Sequence, residues 1–163
     1  MFREMRLQKQ QLPVEEAVAI LRTATSGVLG VSGDDGYPYT VPVSHVYDNG
    51  RLFFHCAVKG HKLDAIRRNA KVSFCVIQQD EVIPETLNTL YRSVIVFGQA
   101  RILSEDGEKR AAIEMIGKRF APAYPEAWKK AIEKDWNAFC VVEVKIEHIT
   151  GKAALELLTQ KQD

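Results

Sequence analysis

"SGVLGVSGDDGYPYTVPVSHVYDNGRLFFHCA", residues 26–57, decides the fold of this chain. It is dense in β-branched and aromatic residues and is broken twice by turn signals, Gly33-Asp34-Asp35-Gly36 and Asp48-Asn49-Gly50. Glycine and aspartate or asparagine between alternating apolar runs mark hairpins. Three antiparallel strands are therefore expected, at about 27–32, 37–47 and 51–57.

Upstream, "LPVEEAVAILRTA" carries Val14, Ala17, Val18 and Leu21 at helical spacing, with Pro13 at its start and Glu15 and Glu16 in the first turn. Downstream, residues 60–69 read as a helix with Leu63 and Ile66 inward, Arg67 and Arg68 in water, and Asn69 as a left-handed cap. "KVSFCVIQQ" is a fourth strand, "DEVIPETLNTL" a loop in which Pro84 blocks a strand, and "YRSVIVFGQARILS" a fifth strand with Gly98 as a bulge position. Two helices follow, over 105–121 and 124–136, then a sixth strand over 138–152. The tail "AALELLTQKQD" reads as a short helix or a frayed end. Six antiparallel strands with few helices predict a mainly β protein, one domain over 1–163, built as a barrel or sandwich rather than a doubly wound sheet.

Composition narrows the function. A net charge of +1 gives no general attraction to nucleic acid or anionic membrane. No run approaches the ~18 apolar residues of a membrane helix, and no apolar leader follows the early charges Arg3, Glu4 and Arg6, so the cytoplasm is the expected compartment. Cys56, Cys75 and Cys140 stand far apart in sequence without a C-x-x-C pair and are expected as reduced thiols. No G-x-G-x-x-G follows a strand, and no Walker loop is present.

The chemistry concentrates in "KGHK", residues 59–62. His61 and Lys62 open a helix whose amino end already carries partial positive charge, where cations are mildly unfavourable. One reading is an anion pocket. Gly60 lets the backbone approach closely, the free N–H groups of the first turn converge, and the two cations add charge-assisted hydrogen bonds to a phosphate. The other is that both side chains point into water, at a cost of only ~0.3–1 kcal/mol. The residues alone do not decide between them. His55 and Cys56 alternate to opposite faces of a strand and lack the third and fourth ligands of a zinc site, so no metal is expected. His45 and His148 mark strand faces, and no activated nucleophile stands out.

The order of these motifs resembles the split-barrel flavin-binding superfamily that includes pyridoxamine 5′-phosphate oxidase. The likeness runs through "GVLGVSGDDGYPYTVPVSHVYDNGRLFFHCAVKGHKLDAIRRNAKVSFCV" and "YRSVIVFGQARIL". Within that superfamily the chain looks most like nitroimidazole-resistance (Nim-type) proteins, which share the "GYPYTVPV" strand and the "FFHCA…GHK" turn. The resemblance implies a six-stranded antiparallel Greek-key split β-barrel, paired as a homodimer with two FMN sites at the interface. It implies that Thr40, Val41, Pro42, Val43 and Ser44 line the flavin through backbone groups, and that His55 and Cys56 flank the ribityl chain and phosphate. His61 and Lys62 would hold the phosphate, Ser93 would contact the flavin, and Trp136 would cover the ring from the other subunit.

Departures from the oxidase itself are equally informative. Its strand carries an Arg and a second Lys where this chain has Thr40 and His45, and its Arg- and His-bearing tail is replaced by "ALELLTQKQD". Vitamin B6 oxidation is therefore not expected. The Nim-type likeness implies reduction of a small electron-poor acceptor, with His55 as the catalytic candidate beside it and reduced nicotinamide or a reductase as electron donor. Two alternatives share these motifs: a non-catalytic flavin carrier or sensor, and a haem-binding split barrel with His45, His55 or His148 as axial ligand.

Overall fold

The computed structural model describes residues 1–159. In chain order the elements are β1 (Gln11–Leu12), α1 (Val14–Thr23), β2 (Ser26–Ser32), β3 (Pro38–Ser44), β4 (Val46–Asp48), β5 (Arg51–Ala57), α2 (His61–Arg68), β6 (Lys71–Ile83), β7 (Asn88–Ile102), α3 (Asp106–Phe120), α4 (Pro125–Lys134), β8 (Phe139–Ala153) and α5 (Leu155–Thr159). The tail's short helix is α5, and residues 160–163 lie outside the described residues.

All pairings are antiparallel, in the order β3-β2-β6-β7-β8-β5-β4, with β1 clipped onto β8. The expected mainly β split barrel is observed. All six expected strands are present, and the count rises to eight for two reasons. The first is β1. The second is a break at His45, which divides the expected 37–47 strand into β3 and β4. The His45 N–H donates to the Thr25 carbonyl (3.3 Å) and its ring turns into the core, so the ladder cannot pass through it. That break shapes the molecule. β3 and β4 lie at opposite ends of the strand order yet are one residue apart in the chain. The sheet must therefore curl until its two ends meet.

The expected loop at 80–90 is instead the end of a long hairpin. β6 runs to Ile83 and β7 begins at Asn88. Pro84 falls in the turn, where a missing N–H breaks no ladder bond, and Leu87 takes a positive φ of 52°. Asn69 does not close α2 in a left-handed conformation either. It is extended (φ −147°), with Oδ1 accepting from the Lys71 N–H and Nδ2 donating to Ser32 Oγ, both at 3.0 Å. The bulge expected at Gly98 appears as a register shift against β8 between Phe97 and Gly98.

Two apolar layers result. The barrel interior holds Leu21, Leu29, Leu52, Phe54, Phe74 and Val96. A second layer joins the outside of β5 and β8 to α3 and α4 through Phe53, Val141, Ile113, Ile116 and Ile132.

Candidate functional site

The split in the barrel positions the candidate site. β4 pairs with β5 only from Val46↔Phe53 to Asp48↔Arg51. Continued, that register would set Ser44 opposite His55 and Val43 opposite Cys56. Among the described residues no ladder forms there, although β3 and β5 remain in contact. One edge of β3 bonds to β2, and among the described residues the other is open. An open edge presents free N–H and C=O groups. Thr40, Pro42 and Ser44 face outward, exposed, while Val41 and Val43 are half-buried against the barrel interior.

At one end of this slit stands α2. Gly60 caps it at φ 141°, a conformation that strongly favours glycine, and among the described residues no side chain caps the helix. Its first-turn N–H groups therefore converge without a side-chain acceptor. His61 stacks on Tyr39 of β3 (centroids 4.1 Å apart, 23° between planes), which ties the helix start to the slit. The puzzle of cations at a positive helix end has a divided answer. His61 lies 3.4 Å from Asp34 of the β2–β3 turn, which also accepts from Arg68 at 2.6 Å. Lys62 is half-buried on the side of Cys56, where its charge favours the thiolate.

At the other end is a cavity of about 590 Å³. Its lining includes Ser44 and His55, the apolar side chains of Ile116, Phe120, Trp128 and Phe139, and Asp135 as a further polar group. The volume lies within the range of small-ligand sites. Gly117 makes the wall possible: a Cβ there would lie 2.6 Å from the Trp128 ring. The His55 ring meets Phe139 edge-on (6.5 Å, 89°), and partial burial lowers its pKa, so the imidazole is neutral near pH 7. A neutral imidazole can both donate and accept a hydrogen bond.

The remaining sequence-selected residues divide. Cys56 points away from His55, as alternation requires, and its Sγ is 3.6 Å from that of Cys140. Burial, then the neighbouring thiol, pushes the Cys56 pKa up to about 12. Ser93 is half-buried on β7, three strands from β3, beside Ile77 and Lys152. Trp136 packs in its own chain against Phe139 (5.8 Å), with Lys109 and Arg110 over its ring. Of the histidines considered for haem, His45 is fully enclosed with Nε2 3.0 Å from the Leu21 carbonyl, and His148 lies beneath Phe2 (4.7 Å). Only His55 opens into the cavity. Among the described residues no three His, Cys, Asp or Glu gather as a metal site, and no helix is long and apolar enough to cross a membrane.

Sequence reading missed Asp34, Tyr39, the pairing of Cys140 and the α3–α4 wall. The wall residues sit at helical spacing and are indistinguishable from core; only Gly117, a helix-interior glycine, hinted at a close approach.

The fold recurs in solved structures. A proposed 5-nitroimidazole antibiotic resistance protein from Bacteroides thetaiotaomicron shares 21% identity, covering 87% of this chain and 85% of that one, with a TM-score of 0.70. The flavocytochrome Anf3 from Azotobacter vinelandii shares 19% over 93% of this chain and 72% of its own, with a TM-score of 0.77. A FAD-binding protein from Mesorhizobium loti shares 22% over 89% and 97%, with a TM-score of 0.62. No curated protein sequence matches. The pyridoxamine 5′-phosphate oxidase family model matches residues 13–153, from the start of α1 to the end of β8. With its split barrel and most of its length inside that match, this chain belongs to the pyridoxamine 5′-phosphate oxidase family.

Proposed function

We propose that this protein binds FMN along the slit between β3 and β5 and uses it to reduce a small electron-poor acceptor held against α3 and α4. One observation carries the reading: an uncapped, glycine-started helix end, the open edge of β3 and an apolar cavity lie in line. His61 on Tyr39 marks one end, and Ser44 beside His55 the other. From Tyr39 to Ser44 is five residues of strand, about 17 Å at ~3.3 Å each, room for a phosphate, a sugar-alcohol chain and a ring.

The protein's own groups divide the work. The first-turn N–H groups of α2 and the Lys62 ammonium hold the phosphate. Residues 40–44 offer backbone hydrogen bonds to the ring, a recognition that depends on strand position more than on side-chain identity. When bound, the flavin supplies the electron transfer. His55, neutral at working pH, hydrogen-bonds the acceptor, and Ile116, Phe120, Trp128 and Phe139 keep water from it. The names of the neighbouring structures, a nitroimidazole-resistance protein and two flavin proteins, support this reading. Thr40 and His45, in place of the oxidase's Arg and Lys, favour it over oxidation of a vitamin B6 phosphate.

Anaerobic turnover tests the proposal. FMN-loaded protein is reduced with NADH or NADPH and then mixed with a nitroimidazole. Acceptor-dependent return of the oxidised flavin absorbance is expected. A loaded protein that bleaches but is never reoxidised by any electron-poor acceptor would be a carrier.

A further inference from the structure

Cys56 and Cys140 are directly opposed partners on β5 and β8, joined by register although 84 positions separate them in sequence. Opposed residues of an antiparallel ladder have Cα atoms ~4.5–5.5 Å apart, inside the span a disulfide tolerates. The two Sγ atoms are already 3.6 Å apart, and Cys140 Sγ lies 3.6 Å from the Ala57 carbonyl oxygen. The thiols differ in access: Cys56 is half-buried and Cys140 buried. Burial and the neighbouring Cys140 hold the Cys56 thiol protonated, and the charges of Lys62 and Arg67 only partly offset them. One residue before each cysteine stand His55 and Phe139, both lining the cavity.

We propose that Cys56 and Cys140 are a modification site for hydroperoxides, closing to a reversible disulfide behind the cavity wall. The Cys56 thiolate attacks the distal peroxide oxygen, the O–O bond breaks, and Cys56 becomes a sulfenic acid as an alcohol or water leaves. Cys140 sulfur then displaces the sulfenic oxygen as water and forms the S–S bond. Two thiols and one hydroperoxide give one disulfide, one alcohol and one water. The more accessible thiol reacts first and the enclosed one resolves it, which shields Cys56 from over-oxidation. The bond would pin β5 to β8 beneath His55 and Phe139, coupling the cavity to peroxide exposure. Burial of Cys56 makes the first step slow at neutral pH and faster as pH rises.

The test involves no flavin, so its outcome is independent of the cofactor reading. Folded protein is treated with hydrogen peroxide at neutral and alkaline pH, denatured without reductant, alkylated, and mapped by mass spectrometry. The expected product has lost two hydrogens, carries a Cys56–Cys140 cross-link that dithiothreitol reverses, and keeps Cys75 alkylatable. In Cys140→Ser, Cys56 should instead be captured by dimedone; should that variant not fold, the wild-type map decides alone. Cys56 and Cys140 both still alkylatable after treatment, whatever befalls Cys75, would overturn the proposal, as would sulfinic acid on Cys56 beside a free Cys140.

Discussion

Ten positions separate His45 from His55, and their surroundings give them opposite duties. His45 is fully enclosed, with Nε2 on the Leu21 carbonyl and its ring edge-on to Phe74, and burial lowers its pKa. An unfolded histidine titrates near 6.5. Below that pH the unfolded chain takes up a proton that folded His45 refuses. Stability is therefore fully present above about 6.5 and is lost as pH falls through the lowered folded value. Urea midpoints should drop between neutral and mildly acidic pH, and a His45→Gln variant, less stable overall, should lose much of that slope. A slope unchanged in the variant would assign the effect elsewhere. His55 shifts the same way but lines a cavity, and its duty is contact. His55→Ala should leave stability within about 0.5 kcal/mol and slow acceptor-dependent flavin reoxidation about fivefold, the worth of one hydrogen bond of ~1 kcal/mol. At this scale the sequence was readable as alternation, which set His55 and Cys56 on opposite faces. It was silent on Asp34, because the contact of a turn residue with His61 27 positions later leaves no local pattern.

Among the elements, α3 and α4 carry the wall of the cavity, and their separation depends on Gly117. A Gly117→Val side chain would meet the Trp128 ring and force the helices apart or the indole into the cavity. A loss of about 1–3 kcal/mol in stability is expected, measurable by denaturant unfolding. Both helices were legible from apolar spacing, but that Trp128 and Phe120 line a space rather than fill one is a property of the packing. The β6–β7 hairpin was the opposite case. Its outer arm is wet on both sides, with Val82 64% and Leu87 90% exposed. A strand with no buried face shows no apolar alternation, so the segment read as a loop. Pro84 strengthened that impression while standing only in the turn. Gly98 was legible because a glycine within a strand usually marks a close backbone approach, and here it is where the β7–β8 register shifts.

Across the whole molecule, the outer face of the sheet carries a small apolar stretch, with Val28, Ile95 and Phe97 exposed among polar neighbours. One register row runs Pro42–Val28–Cys75–Ile95–Thr150, and the next includes Phe97 and His148 beneath Phe2. Exposed apolar side chains such as these are candidates for an interaction surface, and the proposed homodimer would cover them. Ile95→Glu should shift the protein to monomer in sedimentation analysis. A monomeric wild type would exclude the homodimer. A mainly β barrel or sandwich was legible because two turn signals and three alternating runs leave few other arrangements, and the split barrel itself came only from the family resemblance. The curling of the sheet was not, since it depends on one core histidine that interrupts a run composed like any other strand.

Flavin binding, as proposed, rests on a phosphate held at the start of α2. Lys62→Glu tests it cleanly, because a carboxylate in a helix's first turn is favourable by ~0.3–1 kcal/mol while repelling a bound anion. The measurement is the visible absorption spectrum of wild type and variant after incubation with FMN and gel filtration, with melting temperatures alongside. Flavin should co-elute with the wild-type chain in equal molar amount, and none with Lys62→Glu at an undiminished melting temperature. A colourless wild type, or the same flavin content in both proteins, would contradict it.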